Sequence, residues 1–219
     1  MGNEASWKTL AKGWPKAIHP LKNLHMVKIR KMDRYQTQLI QAASLTKESG
    51  LTALVGKVVQ NDYRDLIPSW ATDEGKIFGA WVLCLTALIV SALDAIPADE
   101  RLEIYYDRQF QYERFADVVC ASIQKTPELA SPDGRPKLVF CSPVDRHATQ
   151  LTQPADYFAY ALLQDKNDST SAKARLTSPI LKAHPKARRA EGLLNRETAR
   201  LIVSRTFQEV ALLERGMDI

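Results

Sequence analysis

Cysteine is scarce in this chain: three residues in 219, Cys84, Cys120 and Cys141, widely spaced and without a Cys-x-x-Cys pair. That pattern offers neither a disulfide framework nor a zinc knuckle, and the odd count suits a reducing cytoplasm. Glycine and proline number 9 and 11, too few for collagen-like or low-complexity material. No Gly-rich phosphate loop and no Gly-x-Ser-x-Gly elbow occurs. His19, His25, His147 and His184 do not stand at metal-ligand spacing. Cys141-Ser142 lacks the nearby His and Asp that would raise it to a nucleophile. The opening segment has no apolar run of signal-peptide length, and no internal repeat is visible. What remains is 45% hydrophobic and 25% charged, enough to bury one real core.

Charge is present but uneven. Residues 1–34 carry eight Lys/Arg against two acids, and residues 166–200 carry nine against three, a net of +6 each in a chain of net +5. Clustered cations gain affinity for nucleic acid by releasing its counterions, and Lys182, Lys186, Arg188 and Arg189 are the candidate contacts. The plainer alternative is a solvated face or loop. One apolar run, Ile77 to Leu93, passes 17 residues without a charge. A membrane span needs about 20 residues, and no aromatic belt flanks this one. A helix buried in a protein core is expected instead, with no membrane partner.

Along the chain, a short helix over 4–13 should stop at Gly13 and Pro15. Residues 24–32 alternate loosely and suggest an extended piece. A helix from Asp33 ends at Ser49-Gly50, and 51–60 reads as a strand. The buried helix starts near Thr72 and runs to Ile96, where Pro97 stops it. Strands are expected at 102–107 and 137–142, with helices at 111–125 and 152–163. From 165 to 190 the texture turns polar, basic and aperiodic, the mark of a mobile loop. A helix over 191–215 closes the chain. Strands alternating with helices indicate an α/β sheet protein.

Two acids stand out by position. Asp107 closes a strand, and Asp156 sits in the first turn of a helix that follows another strand. Functional groups gather at the carboxyl ends of strands in open α/β sheets, where two carboxylates can share a Mg²⁺ ion. A strand-ending turn and a helix-dipole partner are the plainer readings. Helical spacing puts Gln153, Asp156 and Tyr160 on one polar face, and Ala155, Phe158, Ala159 and Leu162 on an apolar face that would pack on the sheet.

The ordered segments LEIYYDRQFQYERF, PKLVFCSP and LTQPADYFAYALL resemble the later half of a bacterial and phage family. It is catalogued as domain of unknown function number 3800 and has an RNase H-like fold. Tyr105-Tyr106-Asp107 is similar to its strand that ends on an acid, and Gln153-Pro154-Ala155-Asp156 to its Gln-x-Ala-Asp helix start. The Trp7 helix and Leu24-His25-Met26 resemble its upstream segments. The resemblance implies an RNase H-like mixed sheet flanked by helices over 1–164, then the basic loop 165–190 and an extra C-terminal helix at 191–215. It also implies metal-assisted phosphodiester hydrolysis with Mg²⁺ or Mn²⁺ on Asp107 and Asp156, supported by Gln153 and His25.

Family members usually begin with a strand carrying Asp-Glu-Ser-Gly, and this sequence shows none before the Trp7 helix. The expectation is therefore an N-terminally truncated fold with one metal ligand missing. Beside 102–107 an unpaired strand edge is expected, open to a second chain. Two functions follow: a degenerate nuclease with weak or no activity, from a defence or mobile-element setting, or an inactive module that binds nucleic acid or protein.

Overall fold

The computed structural model describes residues 1–26, 29, 32–56, 76–108, 113–145, 149–185, 187–190 and 197–214. Expectations placed on 57–75, on His147 and on Lys186 lie outside the described residues, as do the side chains of Arg188 and Arg189. The architecture is mixed α/β, with helices and a small parallel sheet. The chain divides into two compact units, one of Met1–Ala53 with Val144–Arg188, the other of Leu54–Pro143 with Arg189–Ile219.

In the first unit, helix α1 spans Glu4–Ile18 and α2 spans Gln36–Glu48, preceded by a single 3₁₀ turn at Met32–Tyr35. The Asn3 side chain caps α1 by accepting from the Ser6 N–H. Neither Gly13 nor Pro15 stops it. Gly13 lies where a Cβ would come within 2.8 Å of the Leu45 side chain, so its bareness lets α2 pack close. Pro15 is exposed, which leaves water to cover the carbonyl its ring orphans. Burial of Leu10, Trp14 and Ile18 then carries the last turn.

Helix α5, Gln153–Asp168, and helix α6, Ala172–Ala183, complete this unit; α6 packs on both α5 and α2, and α1 packs on α2. The expected mobile loop at 165–190 is thus corrected in its central part to a helix. Ser171 caps α6 by accepting from the Ala174 N–H, and Ala174, Thr177 and Ile180 give it a buried stripe. The stripe is hard to see because Thr and Ser interrupt its apolar pattern.

The second unit contains β1 (Leu54–Gly56), α3 (Lys76–Ala95), β2 (Leu102–Asp107), α4 (Glu113–Gln124), β3 (Leu138–Val144), β4 (Arg188–Ala190, its first residue at the unit boundary) and α7 (Glu197–Glu214). The strand at 102–107 has the expected bounds. β2 pairs with β3 and β1 with β4; among the described residues each sheet has two strands. The Leu102 N–H donates to Lys137 O at 2.7 Å, so β2 and β3 start side by side, joined through α4 as a βαβ unit.

Helix α3 packs against β1, α4 and α7. Val82, Leu83, Ala87 and Ile89 are wholly buried, while Trp81, Leu85 and Leu88, expected in the core, are half-buried. Fully burying a Leu or Ile is worth about 1.5–3 kcal/mol, so this helix anchors the unit. No described helix is long and apolar enough to cross a membrane.

Cys120 and Cys141 form a disulfide that ties α4 to β3. Counting cysteines misled here, because an odd number still allows one disulfide. Gln124 Nε2 reinforces the same junction by donating to Leu138 O and Val139 O at 3.1 and 2.8 Å.

Candidate functional site

Helix α5 begins with Pro154 in its first turn, where the missing N–H costs nothing, so the positions of Gln153 and Asp156 are set by a rigid helix start. Gln153 is 4% exposed. Its Oε1 accepts from Trp14 Nε1 at 2.8 Å and from the Leu24 N–H at 2.9 Å, and its Nε2 donates to Asn23 Oδ1 at 3.1 Å. Three of its four hydrogen-bonding positions are therefore engaged inside the unit. Gln153 thereby ties α5 to α1 and to the segment after it.

Asp156 acts on the next two residues of the same segment. Its Oδ2 accepts from the Met26 N–H at 3.0 Å and faces His25 Nδ1 at 2.9 Å. A carboxylate that receives both must meet an N–H on Nδ1, which leaves the lone pair of neutral His25 on Nε2. The pair is partly open, with side chains 20% exposed at His25 and 35% at Asp156. Leu24 and Met26 on either side are fully buried, so they clamp the segment while His25 stays at the surface. Among the described residues no bond falls on Asp156 Oδ1 or His25 Nε2.

The face assignment of α5 is corrected. Its buried stripe is Gln153, Pro154, Tyr157, Phe158 and Ala161, while Ala155 and Ala159 are exposed. The cause is that α5 packs on α6, a helix, where the expected partner was a sheet. Tyr157, hydrogen-bonded to Leu39 O at 3.3 Å, replaces the small residues inside, and burial pushes its phenol up. Sequence reasoning missed Trp14 and Asn23. The usable signal was that a buried indole N–H needs a partner, and a Gln fixed at a helix start can supply one.

Asp107 ends β2 in the second unit, half-buried, so the expected carboxylate pair takes one member from each unit. Near it in sequence, Arg108 pairs with Glu113 at 2.9 Å. Burial and then the charge of Glu113 push Asp117 up, and burial, Asp117 and Glu113 push Tyr106 up to about 12. Among the described residues no group of three or more His, Cys, Asp or Glu could hold a metal ion. Lys182 is exposed on the last turn of α6.

The chain matches no protein-family model, no curated protein and no solved structure.

A shallow cleft in the second unit, about 240 Å³, is lined by Leu93, Asp94, Glu128 and Lys137 among others. Its lysine is committed: Lys137 Nζ donates to Leu93 O at 2.9 Å and Ile96 O at 3.4 Å, capping the end of α3.

Proposed function

We propose that the chain is a nucleic-acid-binding protein of RNase H-like nuclease ancestry, with phosphodiester cleavage weak or absent in the chain as it stands. The observation that carries binding is the partition of charge. The helical first unit holds 16 Lys/Arg against 7 Asp/Glu, a net of +9, and the second holds 14 against 18, a net of −4. A unit with that excess attracts a polyanion at long range and gains by displacing its counterions. The ancestry rests on the ordered resemblance around Asp107 and Asp156.

Weak cleavage follows from how the helix start is used. Two-metal hydrolysis needs carboxylates that hold ions about 3.5–4 Å apart. Here Gln153 is engaged by Trp14, Asn23 and Leu24, and one oxygen of Asp156 by Met26 and His25. One observation favours the hydrolase as a second reading: Asp156 keeps Oδ1 beside a half-open histidine. Asp156 would supply a carboxylate of the kind that Mg²⁺ or Mn²⁺ takes, water completing the shell.

The test incubates the purified chain with labelled single- and double-stranded DNA and RNA, with Mg²⁺ or Mn²⁺, reading binding by anisotropy and cutting on gels. Binding that weakens steeply with salt, on intact substrate, is the expected result. Robust cutting abolished by Asp107→Asn or Asp156→Asn establishes the hydrolase instead. No binding to any of the four ends the proposal.

A further inference from the structure

We infer that the outer ridge of α1, formed by Lys8, Lys12 and Lys16, is the surface along which the phosphate backbone docks. The inference rests on the binding function proposed above and names its surface. Leu10, Trp14 and Ile18 form the inward stripe of α1, all buried. At about 100° per residue the three lysines fall on the opposite side of the helix, and all three are exposed. A rise of about 1.5 Å per residue sets successive lysines about 6 Å apart, a straight cationic edge about 12 Å long.

Beyond Lys8 the edge is uncompensated. Glu4 is the only acid in α1, and it pairs with Lys8 at 2.6 Å at one end. Among the described residues Lys12 and Lys16 have no carboxylate partner. An ordinary solvated helix face alternates acids and bases four residues apart, and this one does so only at Glu4–Lys8. Exposed Ala5, Thr9, Ala11 and Pro15 around the lysines are small and leave room for an approaching strand.

The ridge is also held rigidly. Trp14 is bonded to buried Gln153, and Gly13 sits against Leu45, so the backbone under the lysines is fixed from below. Lysine is a point charge without a planar fork, which suits phosphate and gives no base readout, so sequence-independent binding is expected. A lipid surface is the poorer occupant, because a helix lying in a bilayer interface must insert its apolar face, and here that face is covered.

The test measures binding of the full chain to a short DNA duplex across a salt series. The variant K8Q/K12Q/K16Q is compared with K125Q/R101Q/R135Q, which removes the same charge from exposed positions of the second unit. Circular dichroism and the thermal midpoint check that both stay folded. The α1 variant should lose at least about tenfold in affinity near 50 mM salt, and its log K against log[salt] slope should be shallower by about 2–3, at about 0.9 per phosphate contact. The control should lose far less.

Unchanged affinity in the α1 variant, or equal losses in both variants, overturns the ridge while leaving nucleic-acid binding intact. Phosphatidylserine vesicles that bind the wild type as tightly as the duplex, with the same lysine dependence, overturn the choice of occupant. A wild type that binds no duplex removes both the ridge and the functional proposal.

Discussion

The two units solve the problem of stability differently. The first is helical and basic, contains no cysteine, and is stitched by buried and half-buried polar bonds: Gln153 to Trp14 and Leu24, Asp156 to Met26, Thr46 to His184, Tyr157 to Leu39. The second is acidic, holds every cysteine, and relies on the apolar helix α3, a parallel strand pair and a disulfide. Polar stitching makes a unit sensitive to loss of a single donor or acceptor, because the partner left behind is buried and unsatisfied. Apolar packing with a covalent tie is sensitive to shape and to redox state instead.

The sharpest way to break the contrast is Gln153→Ala. It strands the Trp14 indole N–H and the Leu24 N–H, at about 1–3 kcal/mol each, for a loss of about 2–6 kcal/mol in denaturant unfolding. A loss below about 1 kcal/mol would mean that the polar tie is dispensable. Reduction of Cys120–Cys141 is next. The bond closes a separation of 21 residues, and the chain-entropy account gives about 3 kcal/mol for a loop near that size. Hydrogen exchange should locate the loss in 54–143 and not in the cysteine-free first unit.

Gly56→Ala should follow at about 1–3 kcal/mol, because its Cβ would come within 2.7 Å of the Cys84 carbonyl oxygen, and backbone cannot step aside cheaply. Thermal unfolding of the variant checks this. The smallest effects separate two tyrosines. Tyr157→Phe forfeits a bond to Leu39 O and should cost about 1 kcal/mol. Tyr106→Phe should be nearly neutral, since among the described residues its buried hydroxyl has no partner. Both phenols are held above their ordinary value by burial, Tyr106 at about 12. Above about pH 10 the unfolded chain releases these protons first, so stability is intact below that pH and falls as pH rises towards 12. Tyr106→Phe should flatten part of that fall in a pH series of unfolding midpoints.

Strong local patterns were legible in the sequence. The uncharged run of α3, the branched and aromatic β2 and the Pro-led start of α5 each declare themselves within one short stretch of chain. Long-range ties were not. Nothing near Gln153 indicates that its partners are Trp14, Asn23 and Leu24, because that pairing depends on how α5 meets α1. The Asp156–His25 contact was accessible only through resemblance, which named both residues and implied a different use. Helix α6 was hidden because Thr177 and Ser178 break its apolar pattern and Pro179 stands inside it, although its Ser171 cap and the 174–177–180 stripe were present. The disulfide was missed for a statistical reason: an odd count does not forbid one pair.

The Trp14–Gln153 bond joins residues 139 positions apart, with most of the other unit lying between them in the chain. At about 5–20 residues per second, a ribosome takes roughly 7–28 s to deliver Gln153 after Trp14. Through that interval the stripe of Leu10, Trp14 and Ile18 has emerged without α5, and the second unit still lacks α7. Neither unit can be completed as its own stretch of nascent chain, since their segments alternate in the order of synthesis. The apolar side of α1 is thus a natural early substrate for chaperones, and a stop anywhere before α6 should yield an aggregating fragment.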